Sequence, residues 1–88
     1  MLGLIFTKSA MRDLREIDQT VQKRLFSKLD EVRAGKLPQV RLRGFDGSLY
    51  RIKLTRPQIR LVYKIDLDKQ SVVVICVDGR EQIYKRVP

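Results

Sequence analysis

The side chains in this sequence best able to do chemistry are arginines, lysines and tyrosines, and they fall on two alternating segments. The run from Leu49 to Ile65 reads Leu-Tyr-Arg-Ile-Lys-Leu-Thr-Arg-Pro-Gln-Ile-Arg-Leu-Val-Tyr-Lys-Ile. In a strand successive side chains point to opposite faces, so Arg51 and Lys53 share one face while Tyr50, Ile52 and Leu54 share the other. Beyond a short turn at Pro57 the pattern repeats, with Arg60, Val62 and Lys64 on one side and Ile59, Leu61, Tyr63 and Ile65 on the other. Paired as a hairpin, the two runs hold three or four cations on one rigid surface. Such a surface invites an anion, and RNA is the anion that fits the rest of the composition.

Histidine is absent and no cysteine or carboxylate cluster has ligand spacing, so neither a metal nor another cofactor is expected. There is no glycine-rich phosphate loop and no nucleophile elbow, and serine chemistry lacks its base. Arg, Lys and Tyr suit one reaction well. In RNA the 2′-hydroxyl attacks the adjacent phosphate in line when it loses its proton, the phosphate charge is stabilised and the leaving 5′-oxygen gains a proton. Cations stabilise the phosphate directly. A phenol among them is favoured in its ionised form, which can take the 2′ proton, and an arginine can donate a hydrogen bond to the departing oxygen. Tyr50 and Tyr63 alternate with apolar residues and read as core. Tyr84, in a polar stretch after the last expected strand, is the tyrosine best placed for the role, and strand length and direction put Arg80 near the same surface. An isolated cation on an outward strand face is usually just solvated, so the reading rests on the set.

The charge distribution supports that set. The net charge is +9, yet Lys36 to Arg60 holds seven cations (Lys36, Arg41, Arg43, Arg51, Lys53, Arg56 and Arg60) against Asp46 alone, while elsewhere twelve cations face nine acids. A clustered excess is the footprint of a phosphate binder or of a surface masked by an acidic partner, and composition leaves both open.

The elements that must position these residues are also legible. Eighty-eight residues make one domain, 1–88, with a small core. Leu2, Leu4 and Phe6 alternate as a first strand. Thr7 or Ser9 can cap a helix carrying Ala10, Leu14 and Ile17. Asp18 can cap a second from Gln19, with Val21, Leu25, Leu29 and Val32 as its apolar stripe and Gly35 as its stop. Val40 and Leu42 alternate with Arg41 and Arg43 as a short strand, and Gly44 to Gly47 forms a turn. Ser71 to Val77 is apolar at nearly every position and reads as a central strand buried on both faces, with Cys76 a small buried hydrophobe. Asp78-Gly79 breaks it, and 80–86 reads as a polar tail. The expected fold is a two-layer α+β domain in which an N-terminal strand and a helical hairpin pack on a mostly antiparallel sheet. No apolar run reaches the ~20 residues of a membrane span, and Met1 to Phe6 is too short for a signal peptide, so a cytosolic protein with no membrane partner is expected.

Leu-Arg-Gly at 42–44, Tyr-Arg-Ile-Lys-Leu at 50–54, Ile-Arg-Leu-Val-Tyr at 59–63, the valine run, and Arg80 followed by Tyr84 together resemble the RelE/ParE toxin superfamily, more closely its RelE branch. The resemblance implies a toxin of a type II toxin-antitoxin system that cuts mRNA in the ribosomal A site, without metal, leaving a 2′,3′-cyclic phosphate. It implies that Arg51 and Lys53 stand at basic site positions, Arg60 at the strand arginine, Arg80 at the leaving-group arginine and Tyr84 at the tyrosine that activates the 2′-hydroxyl. Arg41, Arg43, Arg56 and Lys64 would then bind RNA around them. The implied partners are the ribosome and mRNA, a cognate antitoxin that wraps the toxin, and operator DNA only through that antitoxin. Two other functions share the basic strands. A ParE-like DNA gyrase inhibitor gives no reason for Arg60, Arg80 and Tyr84 to occur together, and a non-catalytic ribosome- or RNA-binding module forms no cyclic phosphate.

Overall fold

Two side-chain oxygens start the first two helices and one glycine stops the second. The computed structural model describes residues 1–36, 40–41, 49–79 and 82–86, and at 40, 41, 84 and 86 the backbone only. Strand β1 (Gly3–Phe6) leads into helices α1 (Lys8–Arg15) and α2 (Gln19–Arg33). The Thr7 hydroxyl accepts the Ala10 amide at 3.1 Å and the Asp18 carboxylate accepts that of Thr20 at 3.1 Å, as N-caps should. At the far end of α2, Gly35 takes φ +73°, which L side chains resist. There the Gly35 amide donates to the Val32 carbonyl and that of Lys36 to the Glu31 carbonyl, the paired bonds of a Schellman stop. The Gln22 side chain donates to the carbonyls of Leu14 and Ile17 and so ties the two helices together at their junction.

The remaining elements are β2 (Val40–Arg41), β3 (Tyr50–Thr55), β4 (Gln58–Asp66), β5 (Ser71–Gly79) and the short α3 (Ile83–Arg86). The strands form one sheet in the order β1-β5-β4-β3-β2, antiparallel throughout except where β1 runs parallel to β5. This is the expected two-layer α+β arrangement, with the valine-rich strand central. The expected strand residues Leu42 and Arg43 and the turn 44–47 lie outside the described residues. Among the described residues no helix is long and apolar enough to cross a membrane.

Alternation sorts the sheet residues as the sequence implies. Ile52, Leu54, Leu61, Tyr63, Val72, Val74 and Val77 join Ala10, Leu14, Val21, Leu25, Leu29 and Val32 in the core between helices and sheet. Each large side chain buried there contributes about 1.5–3 kcal/mol. The other face carries a second, smaller core of Val62, Cys76 and Ile83, flanked by Leu49 and Ile75. This one was not expected. In place of a purely polar tail, α3 packs against the sheet and buries Ile83 completely.

One irregularity joins the two faces. Val62 pairs with Cys76 but its neighbour Tyr63 pairs with Val74, so Ile75 is an extra residue in β5, a β-bulge. Before the bulge Val72 and Val74 face the helices; after it Val77 does, and Cys76 and Asp78 turn to the opposite side. For the same reason β5 does not break at Asp78 and runs on to Gly79. Thr7 braces the bulge: its hydroxyl donates to the Ile75 carbonyl at 2.6 Å, and its amide to the Val74 carbonyl at 3.0 Å.

Thr7 therefore serves the cap and the bulge at once, and Thr7→Val, which keeps shape but removes the hydroxyl, is expected to cost about 2 kcal/mol. Thr7→Ser, which keeps both bonds, should recover most of that in urea unfolding; equal losses in the two variants would dissociate the hydroxyl from the effect.

Candidate active site

The register of the hairpin decides which cations meet. The β3–β4 turn is Arg56-Pro57, closed by the pair Thr55 and Gln58, and the Arg24 side chain of α2 donates to the Arg56 carbonyl, fastening the turn to the helical layer. Counting back from this turn, Lys53 lies directly opposite Arg60 and Arg51 opposite Val62. On the other side of β4, Asp78 lies directly opposite Arg60 and Cys76 opposite Val62. Lys53, Arg60 and Asp78 thus form a row across three strands, with neighbouring Cβ atoms about 5 Å apart.

Arg60 is the unusual member. An isolated cation on an outward strand face is usually solvated, whereas only 7% of Arg60 is exposed. It sits on the middle strand of the row, on the face against which Ile83 of α3 packs. Desolvating an arginine is costly unless an opposite charge and hydrogen bonds compensate, and Asp78 is the carboxylate that the bulged register sets across from it. Lys53, which is exposed, is the like charge on its other side, an arrangement that costs up to about 1 kcal/mol in a sheet. A half-buried cation pair facing the same way is poor design for stability and well suited to receive an anion, because charges act more strongly away from water.

The other expected residues divide by position. Arg51 is half-buried beside this row, and Lys64 is exposed further along β4 on the same side. Arg56 is exposed at the hairpin tip. Arg41 pairs with Tyr50 at the β2–β3 edge, and its side chain lies outside the described residues, as do Arg43 and Arg80 entirely. Residue 84 follows the buried Ile83 in α3, so the backbone of Tyr84 is held over the face that carries Arg60, although its side chain is not described.

Tyr50 and Tyr63 are stacked at 5.6 Å on the helix side, confirming them as core. Burial, reinforced by the neighbouring Tyr50, pushes the Tyr63 phenol up to about 12, so it keeps its proton in neutral solution. Their position on the helix side of the sheet removes both as bases on the basic face. Sequence reasoning missed Asp78 and Ile83. No pattern marked the bulge that turns Asp78 to this side. The lone apolar residue in a polar stretch was the available signal for Ile83. Among the described residues no cluster of His, Cys, Asp or Glu could hold a metal ion.

The chain is similar to known proteins in sequence and in fold. Residues 4–84 match the family model described as the ParE toxin of type II toxin-antitoxin systems. The mRNA interferase toxin RelE of Escherichia coli K12 is 36% identical over 80 residues, covering 90% of this chain and 83% of that protein. RelE in the crystal structure of the intact E. coli RelBE toxin-antitoxin complex superimposes with a TM-score of 0.79 at 34% identity, covering 90% of this chain and 96% of that one. The isolated E. coli RelE toxin gives a TM-score of 0.79 at 33% identity over 97% of this chain and 93% of that one.

The raised phenol has a thermodynamic signature. The folded chain holds the Tyr63 proton while an unfolded one releases it near pH 10, so stability conferred by this group is intact below pH 10 and falls as pH rises towards 12. Urea unfolding across that range should show the decline, and Tyr63→Phe should flatten it; an identical decline in the variant would remove Tyr63 as its source.

Proposed function

We propose, from the premise that this chain belongs to the RelE/ParE toxin superfamily on its RelE-like side, that it is the toxin of a type II toxin-antitoxin system and an endoribonuclease that cuts mRNA on the ribosome. The observation that carries the reading is the row in which a buried Arg60 lies between Lys53 and Asp78, on the face over which α3 returns residue 84.

Arg60, with Lys53 and Arg51, receives the scissile phosphate and neutralises the charge that grows on it during attack. Tyr84 takes the proton of the 2′-hydroxyl as its oxygen bonds to phosphorus. The bond from phosphorus to the 5′-oxygen breaks, Arg80 donates a hydrogen bond to the departing oxygen and that oxygen takes a proton from solvent water, leaving a 2′,3′-cyclic phosphate and a 5′-hydroxyl. No step requires a metal or cofactor. Arg56 and Lys64, with Arg41 and Arg43, hold the flanking RNA. Free RNA is flexible and must be oriented before in-line attack, so an organised target such as mRNA in a ribosome supplies the alignment that this small face does not.

RelE of E. coli has been crystallised with its antitoxin RelB. The corresponding partner here is a cognate antitoxin, a flexible and partly acidic chain that covers the basic surface, and operator DNA is reached only through it. The cell compartment that fits this function is the cytoplasm.

Programmed ribosomes provide the test. The native chain should cleave mRNA and leave a cyclic phosphate, Arg60→Ala should lower turnover about 10²–10³-fold, and Arg80→Ala and Tyr84→Phe about 10²-fold or more. Undiminished cleavage by both the Arg80 and Tyr84 variants would remove the proposed chemistry. Inhibition of gyrase supercoiling by the purified chain, with no mRNA cut, would place it with the gyrase poisons instead.

A further inference from the structure

One acid stands where the electrostatics of the basic face argue against it. Arg60 has Lys53 opposite it on β3 and Asp78 opposite it on β5. A phosphate that enters this row meets two positive charges and one negative, and the carboxylate opposes the attraction that Lys53 and Arg60 supply. For a surface that only bound an anion, Asp78 would be a defect. Asp66 lies on the same side of β4 but six residues from Arg60, roughly 20 Å away at about 3.3 Å per residue, beyond the reach of a solvated charge. Asp13 and Glu16 belong to α1 and its end, in the helical layer.

The chain fixes Asp78 from several directions. Strand β1 ends at Phe6, opposite Val74, so beyond that point the outer edge of β5 is met by side chains of α1 and of its cap in place of a strand. The Thr7 hydroxyl donates to the Ile75 carbonyl at 2.6 Å, and the Asp13 carboxylate accepts the Val77 amide at 3.0 Å. One oxygen of Asp78 itself accepts the Gly79 amide at 2.7 Å. Backbone and carboxylate are both restrained, and the pairing with β4 puts the acid directly across from Arg60 with Cβ atoms about 5 Å apart.

What Arg60 gains from such a neighbour is direction. A guanidinium carries its donors in a rigid planar fork on a stem with many rotamers, and a carboxylate matches one edge of that fork. With one edge engaged, the orientation of the other is set before RNA arrives. Catalysis depends on donors aimed where charge develops, and a misplacement of about 1 Å lowers a rate by about 10²-fold. We propose that Asp78 is a positioning residue for cleavage, one that orients the buried Arg60 guanidinium towards the scissile phosphate while weakening the hold on that phosphate. The proposal rests on the nuclease reading above and deepens it. Asp78 touches no reacting atom, and its effect passes through Arg60.

Single-turnover cleavage of mRNA on programmed ribosomes separates orientation from affinity. Asp78→Asn keeps the shape of the side chain and removes its charge. It should lower the saturating rate about tenfold or more, while the toxin concentration giving half that rate stays the same or falls. In the Arg60→Ala background the same change should alter the rate less than about twofold, because the group it orients is gone. An unchanged rate, a raised half-saturation, or a loss that persists in full without Arg60 would overturn the proposal. If the Asn variant does not fold, the native chain still decides by NMR. Separate, slowly exchanging Nη proton signals of Arg60 are expected from an engaged fork, and signals averaged and exchanging as fast as those of the exposed Arg56 would overturn the proposal. A native chain that shows the held Arg60 fork yet cuts no mRNA would count against the nuclease reading alone.

Discussion

The extra residue at Ile75 is the constraint on which both faces of this molecule depend. Side chains along a strand have a period of two, so an unbulged β5 would carry Cys76 and Asp78 to the same side as Val72 and Val74, into the helical core. A carboxylate there would be buried among valines and leucines, and Arg60 would lose the acid across from it. Inserting one residue lets Val72, Val74 and Val77 all reach the helices while Cys76 and Asp78 reach the basic face. The Thr7 hydroxyl, which bonds the Ile75 carbonyl while capping α1, locks the shift to the start of the helical hairpin. The geometry of the basic face is therefore fixed from the opposite layer.

Stability and function pull apart on that face. The helix-side core obeys every local rule, with apolar residues in register and the tyrosines stacked. The other side buries an arginine opposite a lysine and carries a small apolar cluster of Val62, Cys76 and Ile83. A cation already stripped of much of its water needs little further desolvation when an anion arrives, and its field is weakly screened. The large first core is what sustains this arrangement at a chain length where the margin of stability is narrow.

Much of this was legible in the sequence because it depends on periods and caps. Thr7, Asp18 and Gly35 marked the helix ends, Val21, Leu25, Leu29 and Val32 the buried stripe, and the alternation of Arg51 and Lys53 with Ile52 and Leu54 the faces of β3. Lys53 and Arg60 could be placed on one side by parity, but their being directly opposite depends on the two-residue turn at Arg56-Pro57. The burial of Arg60 and the position of Asp78 were not legible. The second follows from the bulge, a single residue with no periodic signature, and the first from packing between distant parts of the chain. Arg43 and Arg80 lie outside the described residues, so their expected roles rest on the resemblance and on the direction of the chain.

The most direct measurement is amide chemical-shift mapping of the native chain with a short RNA in which the attacking 2′-hydroxyl is replaced by hydrogen, so that the strand binds without being cut. Shifts centred on Lys53, Arg60, Val62 and Asp78, across three strands of one face, are the result expected from the bulged register. A bound RNA that leaves that row unperturbed and moves only the helical layer would contradict it.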